Sequence, residues 1–142
     1  MNKVSNVLSR KNRASISVNP GCTVLDALKI MADENIGSLV VKENDKYVGI
    51  VTERDYSRKV MLKGKNSTET TVGEIMSADL PTVSPTDTID HCMQLMSEKN
   101  IRYMPVFDSG EMVGIISMSD VVKETILAQK ETIEHLQSYI HS

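Results

Sequence analysis

The 142-residue chain has no tryptophan, one phenylalanine and four tyrosines, too few rings to build the stacking platforms that hold single-stranded nucleic acids. It also lacks a basic excess: 16 Lys and Arg stand against 19 Asp and Glu, a formal net charge of −3. Phosphate neutralisation supplies most of the affinity for a nucleic acid backbone, so nucleic acid is not expected as the main partner. No apolar run approaches the about 18 residues that a membrane-spanning helix needs, and the first 13 residues lack the apolar stretch of a secretory leader. Cysteine is scarce as well. Cys22 and Cys92 form no C-x-x-C, and two reduced thiols in a cytoplasmic protein are the expectation. His91, His135 and His141 share no ligand spacing with cysteines or carboxylates, so no metal site is expected. There is no H-E-x-x-H and no nucleophile–base set, and Gly64-Lys65 lacks the preceding glycine and following hydroxyl of a phosphate-binding loop. An enzyme is therefore not expected.

What remains is an ordinary globular composition, 40% hydrophobic and 25% charged, at a length that sustains a real core. Its organisation comes from a duplication. Sliding the chain by 65 residues aligns 17–56 with 82–121 without a gap, and 11 of the 40 pairs are identical. Composition alone gives about one identity in seventeen. The identical pairs include Pro20/Pro85, Thr23/Thr88, Asn35/Asn100, Gly49/Gly114 and Asp55/Asp120.

Each copy predicts the same elements. A Val-x-Pro segment leads to a helix capped by Thr23 or Thr88. Its apolar stripe is Val24, Ala27, Leu28 and Met31 in one copy, and Ile89, Cys92, Met93 and Met96 in the other. Two short apolar runs split by a polar turn then predict a hairpin, and a second helix begins near Arg54 or Ser119. Residues 63–71 read as a linker, and VGEIMS at 72–77 resembles VSNVLS at 4–9, a lead-in ahead of each repeat. The expected division is thus 1–62, a first repeat with its lead-in; 63–71, linker; 72–126, the second repeat; and 127–142, a helical extension. Val122, Ile126, Ile133, Leu136 and Ile140 stripe that last helix, which predicts docking on a second subunit.

Two matched heptapeptides, Gly49-Ile-Val-Thr-Glu-Arg-Asp55 and Gly114-Ile-Ile-Ser-Met-Ser-Asp120, run from a strand into a helix start. Two readings fit these residues. Thr52 and Ser117 cap the helices while Asp55 and Asp120 complement the dipole. Alternatively, the helix start and the hydroxyls of Thr52, Ser117 and Ser119 take a phosphate, and a carboxylate takes a ribose diol.

With repeat and heptapeptides together, the chain resembles a tandem pair of cystathionine β-synthase (CBS) domains, a Bateman module. That family's nucleotide signature is Gly, two apolar residues, Ser/Thr, any residue, Ser/Thr, Asp. The second copy matches it throughout. The first departs where Arg54 replaces the second hydroxyl, which leaves one hydroxyl fewer but a guanidinium in reach of phosphate. The resemblance implies an α/β fold of two β-α-β-β-α repeats with pseudo-twofold symmetry, dimerising into a four-repeat disc. It implies a regulatory sensor that binds an adenosyl ligand between the repeats and signals to a partner by a conformational shift. AMP is the foremost ligand, with ADP, ATP, NAD and S-adenosylmethionine the others. One site then uses Thr52, Arg54 and Asp55 with Pro81, Ile101 and Arg102; the other uses Ser117, Ser119 and Asp120 with Ile16, Ile36 and Gly37. A constitutive interaction or oligomerisation protein with vestigial sites is the alternative. Arg58, Lys59, Lys63 and Lys65 read as a solvated basic helix end.

Overall fold

The computed structural model describes residues 2–11 and 14–141, without the side chain of His141. Met1, Asn12, Arg13 and Ser142 lie outside the described residues, and with them the extreme ends of segments 1–62 and 127–142 and the spacing of the His141 imidazole. In chain order the elements are α1 (Val4–Arg10), β1 (Ser17–Val18), α2 (Val24–Glu34), β2 (Ser38–Glu43), β3 (Lys46–Thr52), α3 (Glu53–Tyr56, widening into a π-type turn over Ser57–Met61), α4 (Val72–Ile75), α5 (Ile89–Lys99), β4 (Tyr103–Asp108), β5 (Glu111–Ser117) and α6 (Met118–His141).

The repeated residues explain the repeated elements. Thr23 Oγ1 accepts from the Asp26 amide at 3.2 Å, and Thr88 Oγ1 from the His91 amide at 3.1 Å, which starts α2 and α5 by satisfying amides that have no partner within the helix. Both helices end on an asparagine in the left-handed region, Asn35 at φ 55° and Asn100 at φ 53°, a residue that tolerates this cap. α2 buries Val24, Ala27 and Met31, and α5 buries Ile89, Cys92 and Met96, with Leu28 and Met93 packed at the margins. The hairpins turn on Asn44-Asp45 and Ser109-Gly110, all four at positive φ, a backbone twist that matches the strands. Even the bulges repeat, between Val41 and Lys42 and between Val106 and Phe107.

The chain divides into two packing units, Ser15–Leu80 and Met1–Ala14 with Pro81–Ser142. In the first, β1 pairs parallel with β2, and β2 antiparallel with β3. In the second, β4 pairs antiparallel with β5, and among the described residues Val83 alone makes the parallel contact, to Val106. Packing exchanges the lead-ins. The amides of Val4 and Ser5 donate to the carbonyls of Asp87 and Pro85, each at 2.9 Å, so α1 joins the second repeat. The amides of Val72 and Gly73 donate to Cys22 and Pro20 at 2.8 and 2.9 Å, so α4 joins the first. Residues 63–71 are fastened to α2, whose Val24 and Leu25 amides donate to the carbonyls of Thr70 and Ser67.

Each unit has its own apolar centre. Val24, Ala27, Met31, Leu39, Val41 and Val51 close with Val72 and Ile75 of α4; Ile89, Cys92, Met96, Met104, Val106 and Ile116 close with Val4 and Val7 of α1. α6 packs on the latter through Val121 and Glu124, not through the apolar stripe read from the sequence, and from Gln129 to Ile140 it is exposed. Among the described residues no helix is long and apolar enough to cross a membrane.

Candidate functional site

Each heptapeptide begins on the second strand of its hairpin and ends in the first helical turn. The opening glycines are placed by packing. A Cβ at Gly49 would lie 2.8 Å from the Ser77 carbonyl oxygen and 3.0 Å from Met76 Sδ; at Gly114 it would lie 2.9 Å from Leu8 Cδ2. The lead-in segment crosses the hairpin at this residue in both units.

The hydroxyl and carboxylate that follow form a reciprocal cap in each copy. The Thr52 amide donates to Asp55 Oδ2 at 2.9 Å and the Asp55 amide to Thr52 Oγ1 at 3.1 Å. The Ser117 amide donates to Asp120 Oδ2 at 2.9 Å and the Asp120 amide to Ser117 Oγ at 3.0 Å. The capping reading therefore holds for both pairs, and the chemistry left over differs between them.

In the first copy little is left. The Thr52 hydroxyl donates to Asp55 Oδ2 at 3.1 Å, Lys59 Nζ lies 3.1 Å from Asp55 Oδ1, and Asp55 is only 8% exposed. Lys59, read in the sequence as part of a solvated helix end, also donates to the Ile75 carbonyl at 2.8 Å. Its spacing of four residues from Asp55 was the available signal.

In the second copy more remains open. Ser119 is exposed, and neither the Ser117 hydroxyl proton nor Asp120 Oδ1 is engaged by a described residue. Lys11, just past the end of α1, donates to Asp120 Oδ2 and to the Ile115 carbonyl, both at 2.9 Å. No comparison of the two repeats points to Lys11, because it lies in a lead-in that packs on the other repeat's sequence. A cation thus stands beside the motif with the complete hydroxyl set.

The remaining expected residues are shared between the units. Ile16, Ile36 and Gly37 lie with Thr52, Arg54 and Asp55 in Ser15–Leu80, and Pro81, Ile101 and Arg102 lie with Ser117, Ser119 and Asp120 in the other. The structure brings some together within a unit. The Glu53 amide donates to the Gly37 carbonyl at 3.2 Å, and Ile36, Gly37 and Glu53 line a cavity of about 370 Å³. The Met118 amide donates to the Arg102 carbonyl at 2.8 Å, with the Arg102 side chain exposed. Ile16 is half-buried and its carbonyl accepts from the Val40 amide at 3.0 Å; Pro81 is half-buried.

Burial, reinforced by Asp87, pushes the Cys92 thiol up to about 11, and burial with Asp26 also raises Cys22, so the reactive thiolate is disfavoured. Among the described residues no group of three or more His, Cys, Asp or Glu is arranged to hold a metal ion.

Known proteins agree with this architecture. The CBS domain family matches twice, over residues 4–61 and 72–126. The CBS domain-containing protein CBSX3, mitochondrial, of Arabidopsis thaliana is 37% identical over 146 residues, covering 96% of this chain and 71% of the relative. The solved structure of a protein with CBS domains from Burkholderia ambifaria MC40-6 is 43% identical with a TM-score of 0.85, over 89% of this chain and 96% of that one. The CBS domain pair of protein MJ0100, solved in complex with 5′-methylthioadenosine and S-adenosyl-L-methionine, is 27% identical with a TM-score of 0.77, over 92% of this chain and 98% of that one. Two family matches on the two copies of the duplication, with relatives this similar along most of the length, show that the chain belongs to the CBS-domain family and carries two CBS repeats.

Proposed function

We propose that this chain is a regulatory module that binds an adenosyl ligand and passes the event to a partner protein through a conformational shift, without catalysing a reaction. Its CBS pair and the methylthioadenosine and S-adenosylmethionine held by the MJ0100 pair support the ligand class. AMP is the first ligand to test, followed by ADP, ATP, NAD and S-adenosylmethionine. The reading takes the module as a homodimer forming a four-repeat disc, in the reducing cytoplasm.

The observation that carries the reading is the unspent chemistry of Ser117, Ser119 and Asp120 beside Lys11. Asp120 Oδ1 takes the ribose hydroxyls, while the serine hydroxyls and the Lys11 ammonium take phosphate. Ile16, Ile36 and Gly37 are the adenine-facing set assigned to this ligand by the family resemblance. The set of Thr52, Arg54 and Asp55, with Pro81, Ile101 and Arg102, is the weaker one, because Thr52, Asp55 and Lys59 satisfy one another. A ligand acts only through different affinities for two states of the module.

The closure of that first motif, with the exposed stripe of α6, favours a second reading: a constitutive interaction or oligomerisation protein with vestigial ligand sites. Thermal unfolding with the five ligands separates the two. A ligand at 100 times its dissociation constant adds about 2.7 kcal/mol, a midpoint shift of several degrees at this size. The sensor reading expects one ligand to give that shift and Asp120→Ala to abolish it. No shift with any ligand at millimolar concentration supports the second reading instead.

A further inference from the structure

The apolar positions that α6 leaves exposed are spaced with a regularity its own unit does not use. Val122, Ile126, Ile133, Leu136 and Ile140, with the polar Gln129 completing the series between Ile126 and Ile133, follow at alternating steps of four and three residues, the period of a coiled-coil seam. The face that packs on the unit is another one, through Val121 and Glu124, at 0% and 2% exposure. Along the seam the five apolar side chains are between 46% and 75% exposed.

We infer that α6 pairs with the α6 of a second copy of this chain as a parallel, in-register, two-stranded coiled coil through this seam. The residue types specify the occupant. Ile126, Ile133 and Ile140 fall on one set of seam positions, and Val122, Gln129 and Leu136 on the other. Isoleucine at the first set with leucine in the second favours two parallel strands. Gln129 fixes the register. Against an isoleucine its amide is buried without a partner, whereas in register the two Gln129 amides meet and hydrogen-bond each other. The flanks fix the direction. Lys123 and Lys130 border one side of the seam, Thr125 and Thr132 the other. Parallel helices set lysines against threonines; antiparallel helices set lysines against lysines.

The pairing does not depend on the adenosyl reading. It is tested with full-length Leu136→Cys under mild oxidation, alongside sedimentation of the wild type. Because Leu136 is 55% exposed, the substitution leaves the fold of the chain intact, which circular dichroism verifies. In parallel register the two introduced thiols face each other; in an antiparallel pair centred on the seam they lie about 15 Å apart along the axis. The expected result is a covalent dimer from Leu136→Cys, none from the wild type, and at least a tenfold loss of cross-linked product when Ile133→Asp is added. A dimeric wild type with no cross-link at Leu136→Cys overturns the inference and leaves a disc built through other surfaces standing. Cross-linking only when Leu136→Cys is mixed with Ile126→Cys overturns it in favour of antiparallel helices, and a monomeric wild type at tens of micromolar overturns it together with the dimer.

Discussion

Lys59 and Glu124 stand 65 residues apart, at the same position of the second helix in the two repeats, and they tie that helix to the lead-in by opposite means. Lys59 Nζ donates to the Ile75 carbonyl at the end of α4 and pairs with Asp55. Glu124 is buried at 2% exposure; its Oε2 lies 2.9 Å from Arg10 Nε, and its Oε1 accepts from Arg10 Nη2 at 3.2 Å and Asn2 Nδ2 at 3.0 Å. One charge reversal reorganises the neighbourhood of the motif. With Lys59 present, the first motif's aspartate is neutralised from within its own helix. With Glu124 in that place, the second motif's aspartate receives its cation from Lys11 instead. The duplication has kept what the backbone dictates, namely caps, left-handed asparagines, hairpin turns and bulges, and has let the charges diverge. That divergence is what makes one motif a closed cap and the other a candidate ligand site.

The largest difference between the repeats should follow from these two tethers. Arg10→Ala leaves the Glu124 carboxylate buried, at a cost of about 2–3 kcal/mol once the partial exposure of Arg10 is allowed for. Lys59→Ala removes a half-exposed lysine from a buried Asp55 that keeps the Thr52 amide and hydroxyl as donors, and costs about 1 kcal/mol. Denaturant midpoints at constant slope measure both, and equal losses would break the comparison. Next come the glycines. Gly49→Ala presses a methyl against a backbone oxygen and costs about 1–3 kcal/mol, whereas Gly114→Ala meets the mobile end of Leu8 and costs about 1 kcal/mol or less.

A smaller effect concerns ligand choice. Lys11→Ala is expected to weaken AMP about tenfold, the loss of one charge-assisted contact, while leaving 5′-methylthioadenosine, which has no phosphate, nearly unchanged in equilibrium titrations. The smallest effect is one of pH. Thr71 donates its amide and hydroxyl to Glu74, and these bonds hold the Glu74 carboxyl below its ordinary 4.5. A lowered folded pKa gives stabilisation that is complete above the ordinary value and disappears as the pH falls through the lowered one. At the same place in α1 the acceptor is Asn6, whose Oδ1 takes the Lys3 amide at 2.8 Å and does not titrate in this range. Glu74→Gln should therefore flatten the acid side of the stability profile, and Asn6→Asp should steepen it.

Much of this architecture was legible because the duplication repeats local signals. Thr23 and Thr88, Asn35 and Asn100, and the alternation of apolar residues into each hairpin specify their elements from neighbours in sequence. The reciprocal caps of Thr52 with Asp55 and Ser117 with Asp120 were legible for the same reason. What escaped the sequence is what depends on distant segments. The exchange of α1 and α4 rests on backbone hydrogen bonds such as Val4 to Asp87, 83 residues apart, which no local pattern encodes. Lys11 escaped with it, as did the burial of Glu124, a charged residue that Arg10 and Asn2 make tolerable. The stripe of α6 was read correctly as apolar, but which face meets the unit was decided by Val121, one residue from Val122.

The most direct test of the inequality between the motifs is calorimetric titration of AMP, ATP and S-adenosylmethionine into the wild type, Asp55→Ala and Asp120→Ala. The account predicts one ligand bound per chain, with stoichiometry unchanged by Asp55→Ala and binding abolished by Asp120→Ala. Two ligands bound per chain, or binding that survives Asp120→Ala and fails in Asp55→Ala, would contradict it.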